Sequence, residues 1–336
     1  MFQRILVPLD GSPRAEQALP VAARLARASG GSVLLLQVVS PPIDYGGPLA
    51  QSPLLSQQII ETDQEEASGY LARVAKSPEL AGIETTTDVM FGLPPQDILA
   101  MTKSRQVDLI IICSHGRTGF TRWVLGSVAQ KVVQQSPVPV FVLREGGPVS
   151  LVSRADAARP ISALVALDGS PLAETALAPA ANLVAALAAP TQGALHLTQV
   201  VKPLSTTANE GFVAQFNAEV VEHAKAYLVS VKEGLQELFK DFKLSITWSV
   251  ALESDVAGAI ISTAEHGEDG TGAEDEAFCD LIAMSTHGRG GLERWVMGSV
   301  TERVLSGTRL PLLVVCRLPR HQTAAAGCAP AAERNR

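Results

Sequence analysis

The sequence predicts two α/β domains in tandem, each a parallel sheet of five strands covered by helices on both faces. Three observations carry that reading. Short apolar runs of strand length alternate with longer stretches at helical spacing, so β and α elements succeed one another along the chain. The same succession occurs twice, with its turn sequences repeated. The chain is 46% hydrophobic but only 4% aromatic, which is the composition of aliphatic parallel strands buried on both sides. Its 336 residues suit two domains of roughly 150, each able to bury a core.

In chain order, residues 4–9 (RILVPL) form a first short strand that ends at Asp10-Gly11-Ser12-Pro13. Ser12 suits a helix N-cap and Pro13 a first helical position, so a helix is expected over 15–28. The continuous apolar run within 32–39 reads as a central second strand. Residues 40–55, rich in Pro, Gly and Ser, make a long loop of the kind that is usually functional or mobile, and a helix follows over about 54–74. Alternation over 83–90 marks an edge strand, Gly92-Leu93-Pro94 a turn, and 95–104 a helix. Strands over 108–113 and 138–143 complete the first domain, 1–147.

Residues 145–158 lack periodicity and read as a linker. The pattern then restarts in a second domain, 159–318: a strand over 162–167 runs into Asp168-Gly169-Ser170-Pro171, the first turn repeated 158 residues on. Strand two recurs over 194–201. By the second glycine loop the offset is 172, and the added residues are read as the acidic, glycine-bearing run 266–278, at the end of the sheet away from any ligand. The tail 319–336 is expected to be poorly ordered.

The stretch SHGRTGFTRWVLGSVAQKVVQQSPVPVFVLR, from Ser114 to Arg144, reads as strand end, glycine loop, helix start and next strand. Its spacing recurs without a gap from Thr286. A loop that turns on glycines and delivers a Gly-Ser pair to a helix N-terminus gathers unpaired backbone N–H groups, the makings of an anion site. It is neither a Walker A loop, lacking the Lys, nor a G-x-G-x-x-G fingerprint. This pattern resembles the universal stress protein family, whose nucleotide-binding members carry G-x2-G-x9-G-[ST] after the fourth strand. Gly116, Gly126 and Ser127, and Gly288, Gly298 and Ser299, match its last three elements, whereas Cys113 and Ser285 stand at the first.

The resemblance covers about 1–145 and 159–318. It implies a strand order of 3-2-1-4-5, of the adenine-nucleotide alpha-hydrolase type, with a crevice where the order reverses between strands 1 and 4. It further implies ATP, with Mg, as ligand: Asp10 and Asp168 at the adenosine portion, Val38 and Val200 offering backbone to the base, and positions 113, 116, 126, 127, 285, 288, 298 and 299 around the phosphates. Read by themselves, the aspartates also suit Asx turns and the glycines suit ordinary turns and caps. His115 and His287 lack any partner that the sequence can place and read as loop braces; Arg117 and Arg289 suit phosphate or solvent; Trp123 and Trp295 read as apolar loop anchors. A nucleotide-binding stress or signalling protein with little or no turnover is therefore expected, against an interaction module with degenerate crevices.

A net charge of −7 argues against a nucleic-acid partner. Neither a signal-peptide pattern nor an apolar stretch of membrane-spanning length is found, so a cytoplasmic chain without membrane contact is expected. Cys113, Cys279, Cys316 and Cys328 form no C-x-x-C and read as reduced, structural thiols. The fifth strands (138–143 and 310–316) are expected to pair and join the halves as an internal pseudo-dimer, with Pro139 and Pro311 limiting pairing near their starts. Whether whole chains pair further as a homodimer is left open. The first crevice is expected to be the better nucleotide site: at an offset of 158, Val250-Ala251-Leu252 stand opposite Gly92-Leu93-Pro94 and would fill an adenine pocket.

Overall fold

The computed structural model describes residues 1–40, 53–114, 125–144, 160–204, 210–267, 278–286 and 297–316. Most of the acidic run, the linker, the tail and the interiors of both glycine loops lie outside them. The first half supplies strands β1 (Arg4–Leu9), β2 (Ser32–Val39), β3 (Thr85–Phe91), β4 (Leu109–Cys113) and β5 (Val140–Leu143). The second supplies β6 (Ser162–Leu167), β7 (Gly193–Val201), β8 (Leu244–Leu252), β9 (Leu281–Ser285) and β10 (Leu312–Val315). All ten lie in one sheet in the order β3-β2-β1-β4-β5-β10-β9-β6-β7-β8. Neighbouring strands within each half are parallel, and the order reverses between β1 and β4 and between β6 and β9.

The helices after β1 and β2, α1 (Pro13–Glu16), α2 (Ala18–Ser29) and α3 (Pro53–Val74), lie on one face. Those after β3 and β4, α4 (Pro94–Ser104) and α5 (Ser127–Gln135), lie on the other. The second half repeats this with α6 (Leu177–Ala188), α7 (Glu210–Leu238), α8 (Val256–His266) and α9 (Ser299–Gly307). The single helix expected over 15–28 is divided at Gln17, and its counterpart is divided into a 3-10 turn, Ala173–Ala176, and α6. Proline is the cause in both. Pro20 and Pro179 have no N–H to give the carbonyls of Glu16 and Thr175, so each restarts its helix within a first turn, where that donor is not needed.

The halves meet where β5 and β10 pair antiparallel, with partners Val142 and Leu312, Phe141 and Leu313, Val140 and Val314. Since residue 141 corresponds to 313 in the repeat, a pseudo-twofold axis passes through the Phe141–Leu313 pair. The strands are shorter than expected because each begins just past its proline, Pro139 or Pro311. Both core layers run through this seam. Phe141, Leu143, Leu313 and Val315 belong to the α2–α3 side, while Val140, Val142, Leu312 and Val314 belong to the α4–α5 side. Beyond the strands, buried Arg144 donates to the carbonyl of Leu305 in the last turn of α9. Its counterpart Cys316 places Sγ 3.6 Å from the carbonyl of Gln134 in the last turn of α5. Burial pushes the Arg144 guanidinium down to about 10.

Candidate functional site

The rim of each crevice begins where the first strand ends in an aspartate. Gly11, at φ 82°, turns the chain in a conformation that glycine adopts without strain. This brings Ser12 back to Asp10, whose Oδ1 accepts from the Ser12 amide at 3.0 Å and from its hydroxyl at 2.6 Å. Ser12 Oγ accepts from the amide of Ala15 at 3.2 Å and so caps α1. The second half repeats the turn: Gly169 has φ 80°, Asp168 Oδ1 accepts at 2.9 and 2.6 Å, and Ser170 Oγ accepts from Ala173 at 3.2 Å. One oxygen of each aspartate thus makes an Asx turn, and the carboxylate is held at the strand end.

The fourth strand reaches the same rim. Cys113 Sγ lies 3.7 Å from the carbonyl of Ala15, which ties β4 to the helix that follows the Asp10 turn. Burial first, and the nearby Asp10 charge second, push the Cys113 thiol up to about 12. In the second half Ser285 is buried, and Thr301 Oγ1 donates to its carbonyl at 3.0 Å. Each glycine loop then closes on itself. The Ser114 carbonyl accepts from Gly126 N at 2.7 Å, and the Thr286 carbonyl from Gly298 N at 2.9 Å. Gly116 and Gly288 lie between these closures, outside the described residues, with His115, His287, Arg117, Arg289, Trp123 and Trp295.

Gly126 and Gly298 are the N-caps of α5 and α9, and neither helix has a side-chain cap. The amides of residues 127–129 and 299–301 therefore face the rim at the positive end of a helix dipole. Such donors, with an aspartate across the crevice, suit a phosphorylated ligand. Among the described residues no cluster of three or more His, Cys, Asp or Glu side chains could hold a metal.

Val38 and Val200 stand near the ends of β2 and β7, each partly buried against the core. The ladders to the first strands stop one residue earlier, at Leu9 with Gln37 and Leu167 with Gln199. On the crevice side the valine backbone is past the last of these pairs, where a base could meet it. The third-strand exits require a correction. Val250, Ala251 and Leu252 do not form the second exit; they lie within β8, paired with Gln199, Val200 and Val201. The repeat has already slipped by the second strand, where Val38 corresponds to Val200 at an offset of 162. The amides of Gly92 and Glu253 bond Val39 and Val201 at 3.0 and 2.9 Å, which makes Glu253-Ser254-Asp255 the true exit. The bulky residues thought to fill an adenine pocket are not at that place.

Two features escaped sequence reasoning. Tyr70 and Tyr227 donate to Glu16 and Glu174 at 2.9 and 3.0 Å, bracing the first helical turn of each half. Their matching positions were the available signal. Asp255, the N-cap of α8, accepts from the Gly258 amide at 3.1 Å and meets Arg303 of α9 at 2.9 Å. Arg303 holds the Asp255 carboxyl below the usual carboxylate range. An aspartate before an apolar helical run was its signal, once the correct offset is used. A cleft of about 460 Å3 beside α1 and α3, lined by Pro13, Glu16, Tyr70 and Arg73 among others, touches the first turn only through Pro13 and includes none of the residues expected to bind nucleotide.

The family model described as "Universal stress protein family" matches residues 1–144 and 162–316. A universal stress protein of Methanocaldococcus jannaschii is 29% identical over 145 residues, 43% of this chain and 84% of its own. One from Bacillus subtilis is 28% identical over 148 residues, 43% of this chain and all of its own. Among solved structures, a universal stress protein from Archaeoglobus fulgidus aligns over 94% of this chain and 98% of its own, at a TM-score of 0.60 and 20% identity, a likeness of fold.

Proposed function

Since the chain belongs to the universal stress protein family, with two family domains joined as a pseudo-dimer, we propose that it binds an adenine nucleotide, ATP with Mg, at the rim of at least one half and serves stress response or signalling through the bound state. The observation that carries this reading is the closed glycine loop: Ser114 O to Gly126 N and Thr286 O to Gly298 N deliver an uncapped helix start to the rim that Asp10 or Asp168 enters from the first strand. The phosphates would lie against the amides of Ser127 or Ser299 and the residues after them. Asp10 or Asp168 would accept from a ribose hydroxyl, and Val38 or Val200 would meet the base with its backbone. Mg2+, bound through the phosphates, supplies charge neutralisation. Asp10 Oδ1 is engaged by Ser12, so its carboxylate is held in place and contributes orientation here.

Fast turnover is not part of the proposal. Hydrolysis needs donors or cations placed on the transition state and a group that orients water. The sequence places no partner beside His115 or His287 that would make either a base, so slow turnover is proposed. The experiment is denaturation of the purified full-length protein followed by mass spectrometry for released nucleotide, with isothermal titration of the stripped protein against MgATP. Nucleotide recovered in a stoichiometric amount, and binding lost in Gly126→Glu with Gly298→Glu, supports the reading. A stripped, folded protein that binds no adenine nucleotide overturns it and leaves an interaction module with empty crevices.

No helix among the described residues is long and apolar enough to cross a membrane. A cytoplasmic location is proposed with the same function.

A further inference from the structure

The two crevices share their turn, their loop closure and their glycines, but not the charge beside the phosphate end. α5 begins Ser-Val-Ala-Gln-Lys and α9 begins Ser-Val-Thr-Glu-Arg, so Gln130 and Lys131 correspond to Glu302 and Arg303. All four residues are exposed. A helical side chain leans towards the N-terminus and covers the turn before its own Cα. Lys131, four residues after Ser127, is therefore set to cover the first turn, where the uncapped amides are. Among the described residues it has no ion-pair partner.

Arg303 has the same place on α9 but a different engagement. Both of its terminal nitrogens lie 2.9 Å from Asp255, one on each carboxylate oxygen. That fork neutralises the guanidinium and draws it towards the start of α8. In the first half the N-cap of α4 is Leu93, and the acid of that turn, Asp97, is folded onto Gly92 and forms no ion pair with Lys131 among the described residues. In sequence the second loop also carries Glu293 where the first has Thr121, while the loop arginines, Arg117 and Arg122 against Arg289 and Arg294, are matched. At the start of α9 the second half thus gains Glu302 and has its helical cation occupied.

We infer that the first half is a polyphosphate site with Lys131 as a phosphate-contacting residue, and that the Asp255–Arg303 pair, with Glu302, fits the second half to a ligand of lower negative charge. This rests on the nucleotide reading of the rim, and it replaces the side-chain blockage that the structure does not contain. Removing a cation next to a multiply charged phosphate chain should cost about tenfold in affinity at moderate salt, with the dependence fading as salt rises.

The test is isothermal titration of the full chain in two backgrounds. With Gly298→Glu blocking the second rim, ATP should bind about tenfold more weakly when Lys131→Gln is added, while adenosine is unaffected. With Gly126→Glu blocking the first rim, Asp255→Asn keeps a capping oxygen for Gly258 but frees Arg303, and ATP should bind about tenfold more tightly. Inorganic tripolyphosphate is the second probe. If ATP fails to bind but tripolyphosphate binds the first half and loses affinity on Lys131→Gln, the nucleotide reading fails and the charge assignment stands. If ATP binds and neither Lys131→Gln nor Asp255→Asn changes its affinity by threefold, the charge assignment is overturned and the nucleotide reading survives. Binding of neither probe removes both.

Discussion

Truncating Phe141 to alanine should weaken both halves of the molecule at once. Phe141 is fully buried and faces Leu313 on the pseudo-twofold axis, in a core layer that continues from Leu35 and Ile111 to Val165 and Leu197. A buried phenylalanine covers roughly 150–250 Å2, of which about 100 Å2 or more is lost on truncation. At about 25 cal/mol per Å2 this is about 2.5 kcal/mol or more. The cavity left between two sheet-bound layers adds a further term, and about 3–5 kcal/mol is the total expected for Phe→Ala. Urea denaturation followed by circular dichroism should show that loss with an unchanged m-value. Hydrogen exchange read by mass spectrometry tests the architecture. Exchange should accelerate in peptides covering β4 and β5 and equally in those covering β9 and β10. The control is Leu71→Ala, an equally buried site on α3 in the first half, where acceleration should stay mainly in that half. If the two variants give the same pattern, the seam does not couple the halves and the reasoning fails.

Ser12→Ala removes the cap of α1, Ser170→Ala the bond from the Ala173 amide at the start of the 3-10 turn, and each also removes a bond to the rim aspartate; each should cost about 1 kcal/mol by urea denaturation. Gly92→Ala would drive a Cβ into the buried Asp97 Oδ2, which has no hydrogen-bond partner, so a loss of about 1–3 kcal/mol is expected. Asp97→Ala in the same chain should recover part of it. The Cys113 thiol, raised to about 12, should resist iodoacetamide at pH 8 on the order of a thousandfold better than a free thiol, measured by mass spectrometry of the native protein. The sign for stability follows: the unfolded thiol ionises near its ordinary value of about 8.5 while the folded one stays protonated, so this contribution is complete below pH 8.5 and falls as pH rises towards 12. Single-turnover assay with labelled ATP should find most nucleotide intact after minutes; rapid hydrolysis lost on substitution of His115 or His287 would show a catalytic role for those residues.

The parts of the fold that sequence exposes are those fixed by local chemistry. The Asp-Gly-Ser-Pro turns, the apolar strands and the Gly-Ser helix starts each follow from a few adjacent residues, and each recurs in the second half. The break at Gln17 was also local, since Pro20 and Pro179 announce it. What could not be read depends on register. A repeat offset taken from the first strand is invalid after an insertion, so Val250-Ala251-Leu252 were placed in a turn although they pair with Gln199-Val200-Val201 inside β8. The Asp255–Arg303 pair needs the start of α8 to lie beside α9, a tertiary fact that no spacing within the chain reveals. The fifth strands were recognisable as open apolar edges, but their register through Phe141 and Leu313 was not.

Covalent tandem fusion also changes what the seam can contain. In a homodimer with a twofold axis every interface residue is present twice, because the same patch is used by both partners. Here positions 144 and 316 occupy the two symmetry-related places beyond the paired strands, and the chain fills them with arginine and cysteine. Burial lowers the Arg144 guanidinium to about 10, a desolvation cost to the charged side chain that its bond to the Leu305 carbonyl offsets in part. Two such arginines in one symmetric seam would carry that cost twice. Cys316 meets a carbonyl in the matching helical turn, that of Gln134, with a neutral sulfur and carries none of it. The same freedom operates at the rims, where Leu93 and Asp255, Gln130 and Glu302, and Lys131 and Arg303 have diverged around turns and glycines that have not. The fused chain can therefore keep the geometry of a symmetric pair while giving its two crevices different charge.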